Sequence, residues 1–345
     1  MNTTAMSIAS PVVAAVRAEA ERIGRDPLFR DAAGAKVLVT GATGMVGASL
    51  ALAFLAADRI HNLGLTVYGL SRDMAKAKAY YEKTPLVALS RDVGATADAL
   101  PPFDYIIHAA SPVGPSLFAS DPAGVVAANL RGTLNLLDKA VRDRSRRFLF
   151  ISTHEVYGGG REVWREEDVG VIDFLSVRSC YPESKRAGEN ACVCFHAQHD
   201  LHTGVARLSR MIGPNMNLDS GLFVCDFLKD GLAGRPVTVT GDGSLSRPLL
   251  PAVEAVAGIV RILFSGKPGG VYNVSPDVDD APSIRDVAEY VAALAGTRAA
   301  LSSEGPGGGA RQDNAKLRAL GWRPGMSWRD GLTEIWKVLS ASGRD

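Results

Sequence analysis

The chain has little of what marks several protein classes. Only four cysteines, Cys180, Cys192, Cys194 and Cys225, stand among 345 residues. They form no CxxC pair and no metal-ligand spacing, so neither a metal centre nor a secreted disulfide framework is expected, and the compartment reads as reducing and cytoplasmic. Cys192 and Cys194 read as buried small apolar side chains. Charge of one sign is also missing: the formal net charge of +1 leaves no global field to gather nucleic acid or an anionic membrane. The one dense basic run, Arg142–Arg147 (RDRSRR), precedes an apolar strand and reads as a solvated helix end. No apolar run is long enough to span a bilayer. The N-terminus lacks a basic n-region and is interrupted by Pro11 and the charges of Arg17, Glu19 and Glu21, so a signal peptide is not expected. Internal repeats are missing too.

What is present is enough apolar sequence, 46% of residues, to bury a large core over this length. Val12, Val13, Val16 and Ala20 predict an amphipathic helix in an N-terminal extension, 1–35, that docks on the main body. From Lys36 to Ser152 short apolar runs alternate with helical periods, the grammar of a parallel α/β sheet with crossover helices. Strands are predicted at Lys36–Thr40, Leu65–Leu70, Leu86–Ser90, Tyr105–Ala109, Phe148–Ser152 and Gly204–Leu208. Helices are predicted at Gly124–Val141, with Val125, Leu130, Leu134 and Leu137 on one side, and at Tyr181–His199. Beyond Gly213–Pro214 the elements shorten and glycine and proline increase, which predicts a smaller lobe over 209–345. Within it Ala252–Phe264 and Ser283–Ala295 read as helices, Gly270–Val274 as a short strand and Gly305–Gly309 as a flexible loop. The segment 247–265 is expected to return to the larger unit, 36–208.

Chemistry first appears at Lys36–Gly47, KVLVTGATGMVG, where a β-branched strand runs into glycines spaced GxxGxxG. Gly41 allows the tight turn, Gly44 lets backbone approach a pyrophosphate, and Gly47 lets the next helix pack closely. The helix opening at Thr43, Met45 and Val46 aims unpaired N–H groups and its positive dipole end at phosphate. Such a triplet also occurs in ordinary strand-to-helix turns.

Tyr181 and Lys185, in YPESK, stand four apart on one helical face. An ammonium beside a phenol favours its ionised form, which makes Tyr181 a candidate general base. The polar run Thr153, His154, Glu155 follows the strand Phe148–Ser152, at the carboxyl end where open α/β sheets bind ligands.

With the glycine cradle, HAAS at His108–Ser111, ISTHEVYG and YPESK in this order, the chain resembles the extended short-chain dehydrogenase/reductases, and within them the NAD(P)-dependent nucleotide-sugar epimerases and dehydratases. The resemblance runs from about Lys36 to Leu332. It implies a Rossmann-type doubly wound parallel sheet with a smaller C-terminal α/β lobe for the substrate. It implies that Thr153, Tyr181 and Lys185 are catalytic, with Asn129 in the supporting network, Lys185 holding the nicotinamide ribose and lowering the tyrosine pKa. Asp92 and Val93 take the positions that contact adenine in the family, and His108–Ser111, with Ala109, Ala110 and Ser111, would line the cofactor channel, or else form a packed strand end. Family dimers pair through the two helices at Gly124–Val141 and Tyr181–His199, so a homodimer is expected.

Glu155 discriminates within the family, since 4,6-dehydratases and glucuronate decarboxylases resemble this chain in a ThrxGlu motif, whereas simple epimerases place a small residue there. A carboxylate beside a transient ketone is able to abstract the acidified neighbouring proton. His154 departs from both patterns, and an expelling imidazolium and an orienting or solvent-facing histidine weigh equally. In the smaller lobe DGSLSR, ending at Arg247, resembles the family's diphosphate-binding arginine segment. Arg210 stands where relatives have Asn, Leu249, Leu250 and Pro251 replace aromatics, and Glu254 replaces Asp. These departures leave the sugar and the nucleotide, UDP, dTDP, GDP or CDP, open. At the end of the second strand, where Ser71, Arg72 and Asp73 follow Leu70 beside the cofactor, Arg72 favours NADP while Asp73 keeps NAD open.

The sequence thus predicts an enzyme that oxidises a nucleotide-linked sugar at C4 and uses the ketone for dehydration or decarboxylation rather than plain epimerisation. The alternatives are a 4-epimerase, a net NADPH-dependent carbonyl reductase, and a non-catalytic cofactor-sensing protein.

Overall fold

In the computed structural model, which describes residues 10–301 and 309–342, seven parallel strands form one sheet. They are β1 (Lys36–Thr40), β2 (Thr66–Ser71), β3 (Val87–Ser90), β4 (Tyr105–His108), β5 (Arg147–Thr153), β6 (Thr203–Leu208) and β7 (Gly270–Val274). Their spatial order is β7-β6-β5-β4-β1-β2-β3, with the reversal between β1 and β4. Two strands that run in parallel and diverge at their carboxyl ends open a crevice at such a reversal. The fold is therefore the parallel α/β sheet that the alternating pattern predicts, doubly wound as the resemblance implies. The loop expected at Gly305–Gly309 lies outside the described residues apart from Gly309.

Helices cover both faces, as a sheet of continuous apolar strands requires. The chain-ordered helices are α1 (Ser10–Gly24), α2 (Met45–His61), α3 (Met74–Tyr81), α4 (Pro115–Ser120), α5 (Pro122–Asp143), α6 (Cys180–His199), α7 (Phe223–Leu232), α8 (Ala252–Ser265) and α9 (Ile284–Ala295). On one face α1, α2 and α8 bury Val16, Ala20, Leu50, Phe54, Val256 and Ile259 against Val37, Val39 and Ile107 of the sheet. On the other, α5 and α6 bury Leu136, Leu137, Ala140 and Cys192 against Leu38, Ile106, Phe148 and Phe150. A second core joins α7 and α9 to the C-terminal helix Trp328–Ser342 through Val224, Leu228, Val287, Val291 and Leu332.

Three expectations change. Gly270–Val274 is no strand of a smaller lobe: as β7 it pairs with β6 along its whole length, because its apolar run continues the large sheet's edge. Leu134 faces outward and is 38% exposed, since a helix of 3.6 residues per turn sets it about 180° from Val125. The buried face of α5 instead runs through Val125, Asn129, Thr133, Leu136 and Leu137. Cys192 is buried but Cys194 is exposed, because two positions two residues apart on a helix face roughly opposite sides. The basic run closes α5, where Arg142 pairs with Asp98 and Arg146 with Asp104. Among the described residues no helix is long and apolar enough to cross a membrane.

Candidate active site

Gly41, Thr43 and Gly44 leave β1 at the reversal and line a cleft with Ser71, Arg72, Asp92, Val93, Ala109, Ala110 and Ser111. Gly41 adopts φ +66°, and a Cβ there would stand 2.8 Å from the Ala110 backbone. A Cβ on Gly47 would stand 2.2 Å from the Gly41 carbonyl oxygen, so only glycine lets α2 start so close to the turn. Gly44 caps α2 without any side-chain hydrogen bond, leaving the N–H groups of its first turn, from Met45, Val46 and Gly47, to a ligand. These free N–H groups and the lack of any Cβ at Gly41 and Gly47 suit the charge and bulk of a pyrophosphate. Within the cleft Thr43 Oγ1 and Ser71 Oγ are 2.8 Å apart. Asp73 caps α3 by accepting from the Lys76 N–H at 2.8 Å, while Arg72 meets Asp92 at 3.5 Å.

His108 stands behind this cleft rather than in its wall. It is fully buried, its Nδ1 lies 2.9 Å from the Thr40 hydroxyl, and burial holds its imidazole at about 3, hence neutral. The buried Asn129 links cleft to helix: its Oδ1 accepts from Ser111 Oγ at 2.7 Å and its Nδ2 donates to Ser184 Oγ at 2.9 Å. Ser184 lies between Tyr181 and Lys185, so this bridge ties α6 to the cleft wall.

Tyr181 and Lys185 are both buried on the face of α6 that meets the sheet. Burial raises the Tyr181 phenol above the ordinary tyrosine range and Glu155 adds to the rise, while a hydrogen bond to the Thr153 side chain and the Arg178 charge act against both. The direction is thus opposite to the lowering expected from Lys185. The Lys185 ammonium is turned to the sheet, donating to the Ile151 carbonyl at 2.8 Å and lying 4.7 Å over the Phe150 ring. Burial pushes it down to about 7 against the pull of Glu189 one turn along. Glu189 in turn accepts from Ser152 Oγ at 2.5 Å and is forked by Arg207, whose Nη2 lies 2.7 Å away. This buried pair, invisible to motif reading, joins α6 to β6, while the Ser152 bond ties the same carboxylate to β5, the strand that carries Thr153.

A second cleft of about 400 Å³ opens beyond β5, lined by His154, Glu155, Val171, Ile172, Arg178, Ser179, Arg210 and Arg247. Four residues named from sequence, His154, Glu155, Arg210 and Arg247, therefore share one cavity although they lie up to 93 positions apart. His154 is half-buried in the cleft wall and is held neutral rather than as an imidazolium. Loss of hydration and then the Arg210 charge hold it at about 4 against Glu155, and its Nδ1–H donates to the Leu208 carbonyl at 3.2 Å. Glu155 accepts from Arg178 Nη2 at 2.7 Å.

Arg178 and Phe118 escaped sequence reading. The only signal for Arg178 is its place three residues before Tyr181, and Phe118 carries none beyond an apolar turn. The Phe118 ring stacks on Tyr181, and the Arg178 guanidinium lies 4.7 Å from the same ring. The replaced aromatics Leu249 and Leu250 are buried in a short strand paired with Arg210–Ile212, and Glu254 accepts from Arg22 and the Gly325 N–H.

A doubly wound sheet with a phosphate cradle at its reversal, and a Thr–Tyr–Lys set beside a cationic cleft, defines the class of dinucleotide-dependent α/β enzymes. The NAD dependent epimerase/dehydratase family matches residues 37–275, and the chain belongs to that family. It is 30% identical over 317 residues to UDP-glucuronic acid decarboxylase 2 of Arabidopsis thaliana, covering 90% of this chain and 69% of that one. With UDP-glucuronic acid decarboxylase 5 of the same plant it shares 30% over 304 residues, 86% of this chain and 87% of the relative. The structure of a UDP-glucuronic acid 4-epimerase from Bacillus cereus, solved with UDP-glucuronic acid and NAD, superposes with a TM-score of 0.76 at 23% identity, covering 89% of this chain and 99% of that one.

Proposed function

We propose that this chain oxidises the C4 hydroxyl of a UDP-linked sugar, uses the resulting ketone for a second step at the neighbouring carbons, and then restores the hydroxyl. The observation that carries the reading is the placing of Glu155 and Arg247 in one cleft with Arg210, next to the hydrogen-bonded Thr153 and Tyr181. A bound NAD(P) would supply hydride acceptance and return, held by the Gly41–Gly47 cradle and by Lys185. Tyr181 takes the proton from the C4 hydroxyl, and Thr153 orients that oxygen. Arg247 binds the diphosphate through its guanidinium fork. Glu155 removes the proton at C5 for loss of water, or orients the sugar when the C5–C6 bond breaks and carbon dioxide leaves with its electron pair passing to the ketone.

Elimination is favoured over plain epimerisation by the carboxylate at Glu155 and by decarboxylase relatives of 30% identity. A 4-epimerase is the second reading. It is favoured by the Arg178–Glu155 ion pair, which occupies that carboxylate. Incubation with UDP-glucose, UDP-glucuronic acid and their dTDP, GDP and CDP counterparts, read by mass, separates loss of water, loss of carbon dioxide and no change. Tyr181→Phe should abolish every one of these conversions, and a variant that keeps them ends the proposal.

NADP is the favoured form, because Asp73 is engaged as a helix cap while Arg72 and Lys76 line the cleft beside it. Tighter binding of NADH than NADPH in a fluorescence titration, unchanged in Arg72→Ala, reverses that preference. The outward Val126 and Leu134 of α5 and Val193 of α6 support a homodimer, which sedimentation tests. The four free thiols fit a reducing cytoplasm.

A further inference from the structure

The second cleft holds more positive charge, and holds it deeper, than a diphosphate-binding arginine alone would bring. Arg178, Arg210 and Arg247 line it against one carboxylate, Glu155, and His154 is neutral. Arg247 emerges from the loop of the smaller lobe, where its Nη1 donates to its neighbour Ser246. Arg178 sits at the opposite wall, bonded to Glu155. Arg210 lies between their fields, and burial, then Arg247, holds its guanidinium down at about 10, with Glu155 opposing.

Among the described residues the buried Nη1 of Arg210 has no hydrogen-bond partner. The Phe223 ring lies 5.8 Å from the guanidinium carbon and offers no hydrogen-bond acceptor oxygen. A desolvated guanidinium edge without an acceptor is unfavourable, and the group best matched to it is a planar anion with two oxygens. Glu155 acts on this guanidinium through its charge, but it does not accept from Nη1, and its Oε2 is bonded to Arg178.

We propose that Arg210, with Arg178 beside it, forms a subsite for a carboxylate on the sugar, so that the substrate is a nucleotide-linked uronic acid. The inference rests on the reading of the cleft as a UDP-sugar site. The anion on Arg210 has two possible sources, the sugar carboxylate and the diphosphate, and the position beside Glu155 and His154, at the end of β5, selects the sugar. A uronic acid carries its carboxylate at C6, where a hexose has the hydroxyl that 4,6-dehydration expels. The second step is then cleavage of C5–C6, with carbon dioxide leaving and a proton replacing it at C5, or inversion at C4, and never loss of water from C6.

The test is calorimetric titration of the purified full chain with UDP, UDP-glucose and UDP-glucuronic acid. UDP-glucuronic acid should bind about tenfold or more tightly than UDP-glucose. Arg210→Gln should remove most of that gap while changing UDP affinity by less than about twofold. Arg178→Gln, a change at a half-exposed side chain that leaves the core intact, should narrow it in the same direction. Equal affinity for the two sugars in the parent chain, or loss of all three ligands by one common factor in Arg210→Gln, overturns the subsite. Failure of UDP itself to bind the parent chain overturns the UDP-sugar reading, a different and separately visible result.

Discussion

The rings of Phe118 and Tyr181 lie stacked, with centroids 4.8 Å apart and planes inclined by 21°. Phe118 is supplied by the short helix α4, which follows the cleft-lining Ser111, so one side chain joins the wall of the cofactor cleft to the candidate base. The contact keeps water from the phenol and is part of the burial that raises its pKa.

Phe118→Ala should therefore admit water and bring the phenol back down toward the ordinary tyrosine value. Activity that needs the ionised phenol would then rise at lower pH than in the parent chain. A kcat profile with an unmoved or upward-shifted limb counts against this account.

Glu155→Gln separates the two chemical halves. The second step should slow by about 10² to 10⁴ if the carboxylate moves a proton, while oxidation at C4 persists and a keto-sugar accumulates. Trapping of the ketone with borodeuteride followed by mass analysis reads this directly. An undiminished second step would leave Glu155 as no more than the partner of Arg178.

Gly47→Ala tests the cradle. Its Cβ would come within 2.2 Å of the Gly41 carbonyl oxygen and 2.7 Å of its carbon, atoms that move only with the turn itself. The start of α2 must shift, so dinucleotide affinity should fall at least about tenfold and stability by about 1–3 kcal/mol. NADH fluorescence titration together with a thermal melt measures both, and unchanged affinity would remove the turn from the binding site.

Glu19 offers a stability test remote from the chemistry. It lies on α1, and burial, reinforced by Glu254 and Glu334 against Arg22, pushes its carboxyl up to about 7. Between the ordinary glutamate value of 4.5 and about 7 the folded chain holds a proton that the unfolded chain has released. Its contribution to stability is thus full below that window and lost as pH rises through it, by about 3 kcal/mol in all. Glu19→Gln cannot titrate and should raise the melting temperature most above pH 7 and least near pH 4.5. A gain that is equal at both ends of the range would show that Glu19 titrates normally.

Much of the framework was legible before any coordinates because it is local. The glycine spacing after β1, the strand-to-helix alternation and the four-residue step from Tyr181 to Lys185 each depend on a few consecutive residues and on the geometry of one turn. Errors arose where a decision depended on packing. β7 reads as an isolated apolar run until its partner β6 is known, and the outward face of α5 is hidden when leucines are counted without their helical angles. The expected lowering of the Tyr181 phenol failed for a related reason: burial, which no spacing reveals, is the largest influence on it, and the Lys185 ammonium is turned to the Ile151 carbonyl.

The sequence by itself determined the parallel α/β sheet, which follows from short-range periodicity, and the family, which follows from motifs standing in order along the chain. Only the tertiary structure decided that Arg178, Arg210 and Arg247 converge on Glu155, and that Phe118 covers Tyr181. Those encounters join side chains from separate strands, loops and helices, brought together by burial of the two hydrophobic cores. Desolvation, which sets the charge each group carries there, exists only once that burial is complete.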